Sequence, residues 1–590
     1  MQPLHDYRKI VVEVPTATTP SRIQVVIGVK SETENIEEFR GIPYGQVNAR
    51  WEHSSVRDSL PSDVFRALQN GPRCPQPVEP NNTATFQAHL DFPSDVEESE
   101  FDCLNLFIIR PSSRSGKHTN LPVYLYIHGG GYGFGAGSDP MWSKSPVYIR
   151  FSIELARHPT TFVAQSLANG KPIIAVNINY RLNVFGFGCS DSIIATQNAS
   201  SPIKGGNFGL GDQRRALEWV VRNIGHFGGD NERITIGGQS AGASSVHAHV
   251  IDAKLNSGLS GPLFRRAIMQ SGAVGTLGPI ALSKASANFD LLRKEYSDLD
   301  ITGLKTISSR DLLEKTKRLG WWVYPLVNDG LTISPSNIGR WNVSLGVHDE
   351  SQREYPQRGR EETLRVLLGD TDAEASIWKD AIENVETYTE LEVLVRPNVT
   401  EDVWVQLRKL YKWDASASIR QIHESLTQFL TDIEFGNPVH LARTELASAK
   451  QEEEAGVLPS STQSYRCRFG NPWPGPTHGT AHHCVDLIYI FNCFNDLLVK
   501  ADGSNLENTT RNQDLVRTMQ KHWLDFIYDD EPALIAEEQF IVYGKDTLTT
   551  VVDSVDDHEI QARLCRFKLI NAHRDMITKA SHLITGVTVV

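Results

Sequence analysis

Residues 233–242 read RITIGGQSAG, and this stretch decides the fold. Residues 233–236 form a short β-branched segment, and the small residues after Gly242 can begin a helix. A strand that turns directly into a helix needs glycine beside the turn and leaves the residue at its apex exposed at the edge of the sheet. The stretch therefore predicts a strand–turn–helix with Ser240 at the apex, although the pattern alone fits an ordinary glycine-rich turn equally well.

Strands and helices alternate on both sides of this stretch. Short apolar segments that end at a glycine or a turn predict strands at residues 121–127, 172–178, 233–236 and 365–368. Residues 212–223 carry apolar side chains at helical spacing, which predicts a helix with one buried face. Such alternation is typical of a large, mostly parallel sheet with helices on both faces. We therefore predict an α/β fold.

The ends and the middle of the chain extend this core. β-branched runs predict short strands at residues 10–14 and 23–29, and apolar spacing predicts a tail helix at residues 515–528. The section from about 280 to 470 is richer in helix-forming and charged residues, which predicts a helical elaboration on the sheet. No repeat or Gly/Ser linker divides the sequence, so we expect one domain over residues 1–590.

The composition excludes several classes of protein. The 590 residues are 40% hydrophobic and 22% charged, as in an ordinary globular chain. The 58 Lys and Arg against 71 Asp and Glu give a net charge of −13, which disfavours nucleic-acid partners. No run approaches the roughly 18–20 apolar residues of a membrane span. The first residues carry no signal-peptide pattern, so we expect a cytoplasmic protein if Met1 is the native start and a secreted one if a signal peptide was removed.

A second glycine-rich segment, HGGGY at residues 128–132, follows the predicted strand 121–127. Glycine amides beside a nucleophile can bind the oxyanion of an acyl-transfer reaction, because no Cβ keeps the substrate from the backbone. The alternative is a dinucleotide loop, since residues 131–136 satisfy a relaxed GxGxxA pattern. That alternative needs a helix at once and an acid ending a strand about 20 residues on, and the nearest acid is Glu154 in a helix-like run.

Ordered motifs give the chain a clear resemblance. It resembles the type-B carboxylesterase/cholinesterase family, which includes fungal carboxylesterases and lipases of similar length. The motifs that resemble those of the family are FRGIPY at 39–44, DCLNL at 102–106, NYRL at 179–182, GNFGLGDQ at 206–213 and NIGHFGGD at 223–230. The resemblance implies an α/β-hydrolase fold, serine-dependent hydrolysis of carboxylic esters, and no cofactor. It also implies a triad in the chain order serine, acid, histidine.

The resemblance assigns the acid and the histidine by register. The segment LLGDTDAEASIW at 367–378 resembles the family's acid segment and places the acid at Glu374, with Asp372 out of register. A second rival, Glu350, has no apolar strand before it. His483 keeps the family's spacing to the acid and aromatic residues that follow it.

A metal cluster is the other interpretation of the histidine segment. It would use His478, His482, His483 and Cys484, but no further ligand completes such a cluster, so we predict no metal. The chain also carries no paired CxxC motifs of the kind that bind zinc.

Each site residue has an implied role. Ser240 is the nucleophile, His483 its general base, and Glu374 holds the imidazole. The amides of Gly130, Gly131 and Ala241 form the implied oxyanion hole.

The resemblance also implies structural pairs. Cys74 and Cys103 match the family's first disulfide, so we expect their sulfurs to be adjacent, and in a reducing compartment the pair stays reduced. Arg181 and Asp212 match a structural ion pair. Arg50 matches another, with Glu100 or Asp102 as its partner.

Departures from the family's motifs restrict the class of substrate that we expect. Gln239 stands where a glutamate is usual, which removes a charge that favours cations. No tryptophan lies between Cys74 and Cys103, which disfavours choline esters, and few apolar residues lie there, which disfavours an interfacial lipase lid.

We therefore expect a small or medium, uncharged or anionic ester as the substrate. The alternatives are an acyltransferase or lactonase that uses the same triad, and a non-catalytic cholinesterase-like binding protein. The oligomeric state is not encoded in any of these motifs.

Overall fold

A computed structural model describes residues 9–31, 35–77, 97–112, 119–139, 162–256, 262–336, 340–346, 363–447, 457–472, 477–504, 512–528 and 536–586. Its centre is a thirteen-stranded sheet. In chain order the described strands are β1 Lys9–Pro15, β2 Ile23–Lys30, β3 Ile36–Pro43, β4 Gly45–Gln46, β5 Ser55–Val56, β6 Val64–Arg66, β7 Asn105–Pro111, β8 Leu121–Ile127, β9 Ile174–Ile178, β10 Gly229–Gln239, β11 Arg266–Gln270, β12 Ile280–Ala281, β13 Val327–Asn328, β14 Ile333–Pro335, β15 Trp341–Val343, β16 Leu364–Thr371, β17 Ser460–Cys467, β18 Gln539–Tyr543 and β19 Thr549–Asp553.

The sheet is parallel through its middle and antiparallel at both ends. Its order is β1-β2-β3-β7-β9-β8-β10-β11-β16-β17-β18-β19, with β6 paired to β2. Every pair from β9 to β18 is parallel, while the β1–β2, β2–β3, β3–β7, β7–β9 and β18–β19 pairs are antiparallel and β6 runs parallel to β2. Strand β10, which precedes Ser240, lies between β8 and β11 in the parallel section. The carboxyl ends of β8, β10 and β16 therefore meet at one edge of the sheet, where loops carry the candidate site.

Helices cover both faces of this sheet, as predicted. In β8, Val123, Leu125 and Ile127 belong to one buried cluster, whereas Tyr124 and Tyr126 belong to another on the opposite face. The described helices are Phe162–Ala168, Asn183–Phe187, Asp191–Ala195, Phe208–Asn223, Ala241–Asn256, Leu282–Lys294, Ile301–Lys305, Ser309–Arg318, Lys379–Glu383, Tyr388–Val395, Glu401–Tyr411, Ile419–Thr431, Asn437–Ala447, Val485–Phe491, Asn495–Ser504, Asn512–Tyr528, His558–Ala572 and Arg574–Thr585.

The two helices predicted from periodicity take opposite faces. Helix Phe208–Asn223 packs its apolar stripe into the first cluster, and helix Asn512–Tyr528 packs Met519 and Trp523 into the second. Both helices start a few residues before their predicted beginnings.

The section 280–470 is helical over much of its length and builds a third apolar cluster. That cluster joins side chains from residues 375–433 to others from the C-terminal helices, including Phe567 and Ile577. The section also supplies strands β16 and β17 to the central sheet. The assignment of residues 1–590 to one domain stays a prediction.

Buried ion pairs tie the loops to the sheet. Arg181 binds Asp212 through two bonds, Nε to Oδ2 at 2.7 Å and Nη2 to Oδ1 at 2.8 Å, and both side chains are almost fully buried. Arg50 binds Glu100 in the same bidentate way, at 2.7 and 2.6 Å. The open choice for Arg50 is thus resolved in favour of Glu100, because Asp102 is exposed and accepts a hydrogen bond from Ser99 instead.

We expect Asp212→Asn to lower the free energy of unfolding by about 3–5 kcal/mol, because it leaves the buried Arg181 charge without its partner. Urea unfolding followed by circular dichroism measures the change. Arg420→Gln is the matched control, because the Arg420–Glu424 pair lies on a helix surface with the Arg420 side chain 88% exposed. A loss for Asp212→Asn no larger than that of the control would contradict this account.

Cys74 and Cys103 are buried free thiols in this structure. Cys103 hydrogen-bonds to Cys74, and this bond, together with burial, raises the pKa of the Cys103 thiol well above its usual range. The sulfurs are therefore adjacent, as predicted, but are not joined. The disulfide between them stays a prediction for an oxidising compartment. Residues 78–96, which the lid prediction used, lie outside the described residues.

Across the described residues, no helix is both long enough and apolar enough to cross a bilayer.

Candidate active site

Ser240 occupies the tight turn that the sequence predicts. Strand β10 ends at Gln239, and helix Ala241–Asn256 begins directly after Ser240. Ser240 has a φ of +60°, a left-handed conformation that is unusual for a residue with a side chain and is typical of functional turns. Its amide donates to the Gln270 carbonyl at 2.8 Å, and its carbonyl accepts from the Ser244 amide at 3.0 Å. Both ends of the serine backbone are therefore fixed.

The flanking glycines are required by space. A Cβ on Gly242 would lie 2.1 Å from the Ile127 carbonyl oxygen at the end of β8. A Cβ on Gly238 would lie 2.5 Å from the Gly242 backbone. Larger residues would push the first turn of the helix away from β8, so the tight turn at Ser240 depends on both glycines.

Glu374 and His483 form a direct pair. The His483 Nδ1 atom lies 2.5 Å from Oε2 of Glu374, whose carboxylate is fully buried. The other carboxylate oxygen accepts from the Thr371 amide at 2.6 Å. The Ala373 amide donates to the Ala481 carbonyl, which joins the acid segment to the histidine segment. The acid is thereby oriented from both sides before any substrate binds.

Gln239 links this pair to the serine turn. Its Nε2 donates to the His483 carbonyl at 2.8 Å, so the histidine segment lies against the residue that precedes Ser240. The Nε2 atom of His483 is buried and has no hydrogen-bond partner among the described residues. No Ser240–His483 hydrogen bond is formed in this structure, and His483 keeps one ring nitrogen available.

A buried acid, Asp486, is linked to Ser240 through Gln270. Gln270 accepts the Ser240 amide and donates its own Nε2 to Asp486 at 2.8 Å. Burial raises the pKa of Asp486 to about 6, against the lowering effect of the Gln270 hydrogen bond. Tyr465 donates its hydroxyl to the same carboxyl group at 3.2 Å. The acid three residues after the histidine therefore helps to position the turn.

The glycine loop after β8 lies directly against Ser240. A Cβ on Gly129 would lie 2.9 Å from the Ser240 Cβ. Gly130 and Gly131 both adopt positive φ, at 109° and 58°. Backbone in these conformations suits glycine and lets the loop approach the nucleophile closely.

The amides of Gly130 and Gly131 are candidate donors to the oxyanion, and the carbonyl oxygen of each of these two peptide groups already accepts a hydrogen bond. The carbonyl of Gly129 accepts from His128 Nδ1 at 2.8 Å, and that of Gly130 accepts from the Gly133 amide at 2.9 Å. In a trans peptide the N–H points opposite to the C=O, so the amides of Gly130 and Gly131 point away from these bonds. Burial lowers the pKa of His128 to about 4, which keeps the ring neutral at neutral pH.

The third candidate donor lies at a helix start. The Ser240 carbonyl bonds along the helix to Ser244, so the Ala241 N–H points out of the helix end. The sixteen-residue helix adds the positive end of its dipole there. The arrangement can therefore stabilise a negative oxygen bound beside Ser240.

The residues of the rival site assignments have other surroundings in the structure. Asp372 is bound to Arg466 at 2.8 Å and takes no part in the histidine pair. Residues 131–139 form turns where a dinucleotide loop would begin a helix. Within the described residues, no three side chains of the His, Cys, Asp or Glu type are grouped to hold a metal. The other rival acid, Glu350, lies outside the described residues.

Two contacts of the site carry no sequence signal that we could recognise. The first is the bond from Gln239 to the His483 carbonyl. The second is Phe435, whose ring centroid lies 4.5 Å from that of His483. Phe435 lies in a short π-helical turn, Asp432–Gly436, of a kind often found at functional sites. Both contacts join segments far apart in the chain.

We expect Gln239→Met to lower kcat about tenfold with KM nearly unchanged, because losing one hydrogen bond of about 1.4 kcal/mol loosens the His483 segment without removing a catalytic group. Steady-state kinetics on a p-nitrophenyl ester measure both constants. Gln406→Met is the control, because Gln406 is exposed and its side chain donates to Asp402 on its own helix. Equal kcat values for the two variants would show that Gln239 does not position His483.

A model of the carboxylesterase family matches residues 15–553. The chain belongs to this family. Lipase 1 of Yarrowia lipolytica is 26% identical over 508 residues, which are 85% of each chain. The para-nitrobenzyl esterase of Bacillus subtilis is 27% identical over 534 residues, which are 89% of this chain and 93% of the esterase.

The fold agrees with this membership. A solved structure of a PNB esterase superposes with a TM-score of 0.64 at 22% identity, and the match covers 94% of this chain and 99% of that one. The carboxylesterase chain therefore has the α/β-hydrolase fold and is a carboxylic-ester hydrolase of the serine type. Both predictions are confirmed.

Proposed function

We propose that this carboxylesterase hydrolyses small or medium, uncharged or anionic esters through an acyl-enzyme on Ser240. The observation that carries the proposal is the Glu374–His483 pair held against the serine turn, with the second ring nitrogen of His483 available. The pairing supports a serine nucleophile, because a serine hydroxyl needs a base within reach to react at neutral pH.

The proposed reaction has two halves. His483 Nε2 takes the Ser240 proton as Oγ adds to the ester carbonyl, and the amides of Gly130, Gly131 and Ala241 bind the oxyanion. The tetrahedral intermediate expels the alcohol, which receives the proton from His483 and leaves an acyl ester on Ser240. Water then adds to the acyl carbon with His483 again as base, and the carboxylic acid leaves as Ser240 regains its proton. Glu374 holds Nδ1 of His483 and stabilises the imidazolium.

The charge preference rests on Gln239. An amide in this position presents no negative charge beside the nucleophile, and its Nε2 is already used on the His483 carbonyl. A cationic alcohol group therefore gains no ion pair there. Neutral or anionic esters avoid the cost of placing an unpaired cation in a closed site.

Matched esters test the substrate class. We expect kcat/KM for a neutral butyrate ester to exceed that for butyrylcholine at least tenfold, and a series from acetate to palmitate to peak at short or medium acyl length. Faster turnover of the choline ester, or a peak at palmitate, would contradict the proposal.

A partition experiment distinguishes hydrolysis from transfer. Added methanol should divert part of the acyl group without removing the acid product if water is the normal acceptor. Product that appears only in the presence of an alcohol or amine acceptor would instead identify an acyltransferase. No acid and no transfer product would identify the non-catalytic binding protein.

A further inference from the structure

A second cleft lies away from the candidate active site. It is bounded by β16, β17 and β18 and by helices Asn437–Ala447 and His558–Ala572. The space between these elements is an open cleft that is continuous with solvent. None of Ser240, Glu374 and His483 lines it. The cleft therefore does not include the candidate catalytic side chains.

Its lining combines apolar and cationic side chains. The lining carries six apolar side chains together with five arginines and three acids. The apolar residues are Leu368, Val439, Phe540, Ile560, Leu564 and Phe567. The arginines are Arg443, Arg466, Arg468, Arg563 and Arg566. Such a lining suits a ligand with one charged end and an apolar body.

Three of the arginines are neutralised within the protein. Arg466 binds Asp370 and Asp372, with 2.8 Å between its Nη2 and Asp372 Oδ1. Arg563 binds Asp370 and also lies 3.4 Å from Asp432. Together with an Arg566–Asp432 bond, these contacts form a balanced network of three arginines and three aspartates, of which Arg466, Asp370 and Asp432 are buried. This network stabilises the fold and leaves no charge for a ligand.

Arg443 differs from these three. No carboxylate of the described residues lies within ion-pair distance of it, and its one hydrogen bond runs from Nη2 to the Glu537 carbonyl oxygen at 2.6 Å. Burial lowers the pKa of Arg443, against the weaker raising effect of the Glu537 and Glu538 carboxyl groups nearby. Its guanidinium lies 4.7 Å from the centre of the Phe540 ring. Several of its five N–H donors therefore remain for an anion.

Two further polar groups border the same space. Arg468 contacts Glu559 at 3.1 Å and Asp557 at 3.4 Å through its terminal nitrogens, but its Nε is buried and has no partner among the described residues. His440 packs its ring against Phe567, and burial lowers its pKa to about 4, so it is neutral at neutral pH. The unpaired Nε of Arg468 is a second donor for an oxyanion.

We propose that this cleft binds an amphiphilic organic anion, with a carboxylate or phosphate monoester head on Arg443 and an apolar chain against Phe540, Ile560 and Leu564. A guanidinium forms paired, charge-assisted hydrogen bonds with both kinds of head group. The apolar side chains of the lining then remove the hydrocarbon chain of the ligand from water. A small inorganic anion has no such chain and gains nothing from this contact. The proposal does not depend on the chemistry at Ser240, because the experiment measures binding and not turnover.

Isothermal titration calorimetry with octanoate, octyl phosphate and 1-octanol tests the site. We expect saturable binding of at least one of the two anions, and at least tenfold weaker binding of octanol, which lacks the charge. Arg443→Gln should weaken binding of that anion at least tenfold, and Arg443→Lys should restore part of it. Arg420→Gln, which removes an exposed arginine, should leave the affinity unchanged.

A second variant covers the case in which Arg443→Gln unfolds the protein. Leu564→Trp fills the cleft while it keeps every arginine, and it should abolish binding with an unchanged melting temperature. The proposal is overturned if neither anion shows saturable binding up to about 10 mM, a concentration that detects even weak affinity. It is also overturned if the folded Arg443→Gln or Leu564→Trp protein binds like the wild type, which would place the ligand elsewhere, for example at Ser240.

Discussion

Replacing Ser240 by alanine is expected to lower kcat for a p-nitrophenyl ester by about 10⁶-fold, which is the scale of loss when a serine nucleophile is removed from a triad. The hydroxyl is the only group that can form the acyl-enzyme in the proposed reaction. The turn itself should persist, because Gly238 and Gly242 and the two backbone bonds of residue 240 do not involve the side chain. Steady-state kinetics with a melting curve separate lost chemistry from lost fold.

Ser244→Ala is the matched control for that variant. Ser244 lies one helical turn further on, is fully buried, and donates its hydroxyl to the Ala273 carbonyl at 2.8 Å. We expect it to keep activity within about threefold and to lose about 1 kcal/mol of stability, the usual cost of one hydrogen bond. Wild-type turnover by Ser240→Ala would refute the assignment of the nucleophile.

Glu374→Gln is expected to lower kcat by about 10⁴-fold with little change in KM, as when the acid of a serine triad becomes an amide. The amide can donate a hydrogen bond to Nδ1 of His483, which stabilises the tautomer that carries its proton on Nε2. That nitrogen can then no longer accept the proton of Ser240. Steady-state kinetics at several pH values measure the loss.

Asp372→Asn is the control for Glu374→Gln, because Asp372 is the rival candidate for the catalytic acid. It lies two residues away and contacts Arg466, so we expect less than about a threefold change in kcat, with some loss of stability from the broken ion pair. The reverse result, with Asp372→Asn inactive and Glu374→Gln active, would reassign the catalytic acid.

The sequence predicts strand β8, which is apolar throughout, and misses strand β3, which buries charge. Strand β8 begins and ends where its apolar pattern does, whereas β3 reads IEEFRGIP and gives no clean pattern. In the structure Glu37 and Glu38 of β3 are buried, because Arg110 binds the first and Arg40 the second. Paired charges are tolerated inside a protein, but a pattern of single residues cannot reveal the pairing.

Some features of the candidate site can likewise be predicted from the sequence, and others cannot. The resemblance to the family is enough to predict Glu374 and His483 as partners, because each is assigned by its register within one short motif. The bond from Gln239 to His483 joins residues 244 positions apart, and Phe435 meets His483 across 48 positions. Such contacts depend on how the helical section packs over the sheet, and local spacing carries no information about that packing.

The central claim is that Ser240 reacts as a nucleophile activated by His483. Labelling of the folded protein with a fluorophosphonate, followed by peptide mass spectrometry, tests it most directly, since the probe phosphonylates an activated serine and releases fluoride. We predict one equivalent of label on the peptide that contains Ser240, with labelling strongly slowed in His483→Ala and absent in Ser240→Ala. An unlabelled Ser240 in folded wild-type protein, or label on another residue, would contradict the account.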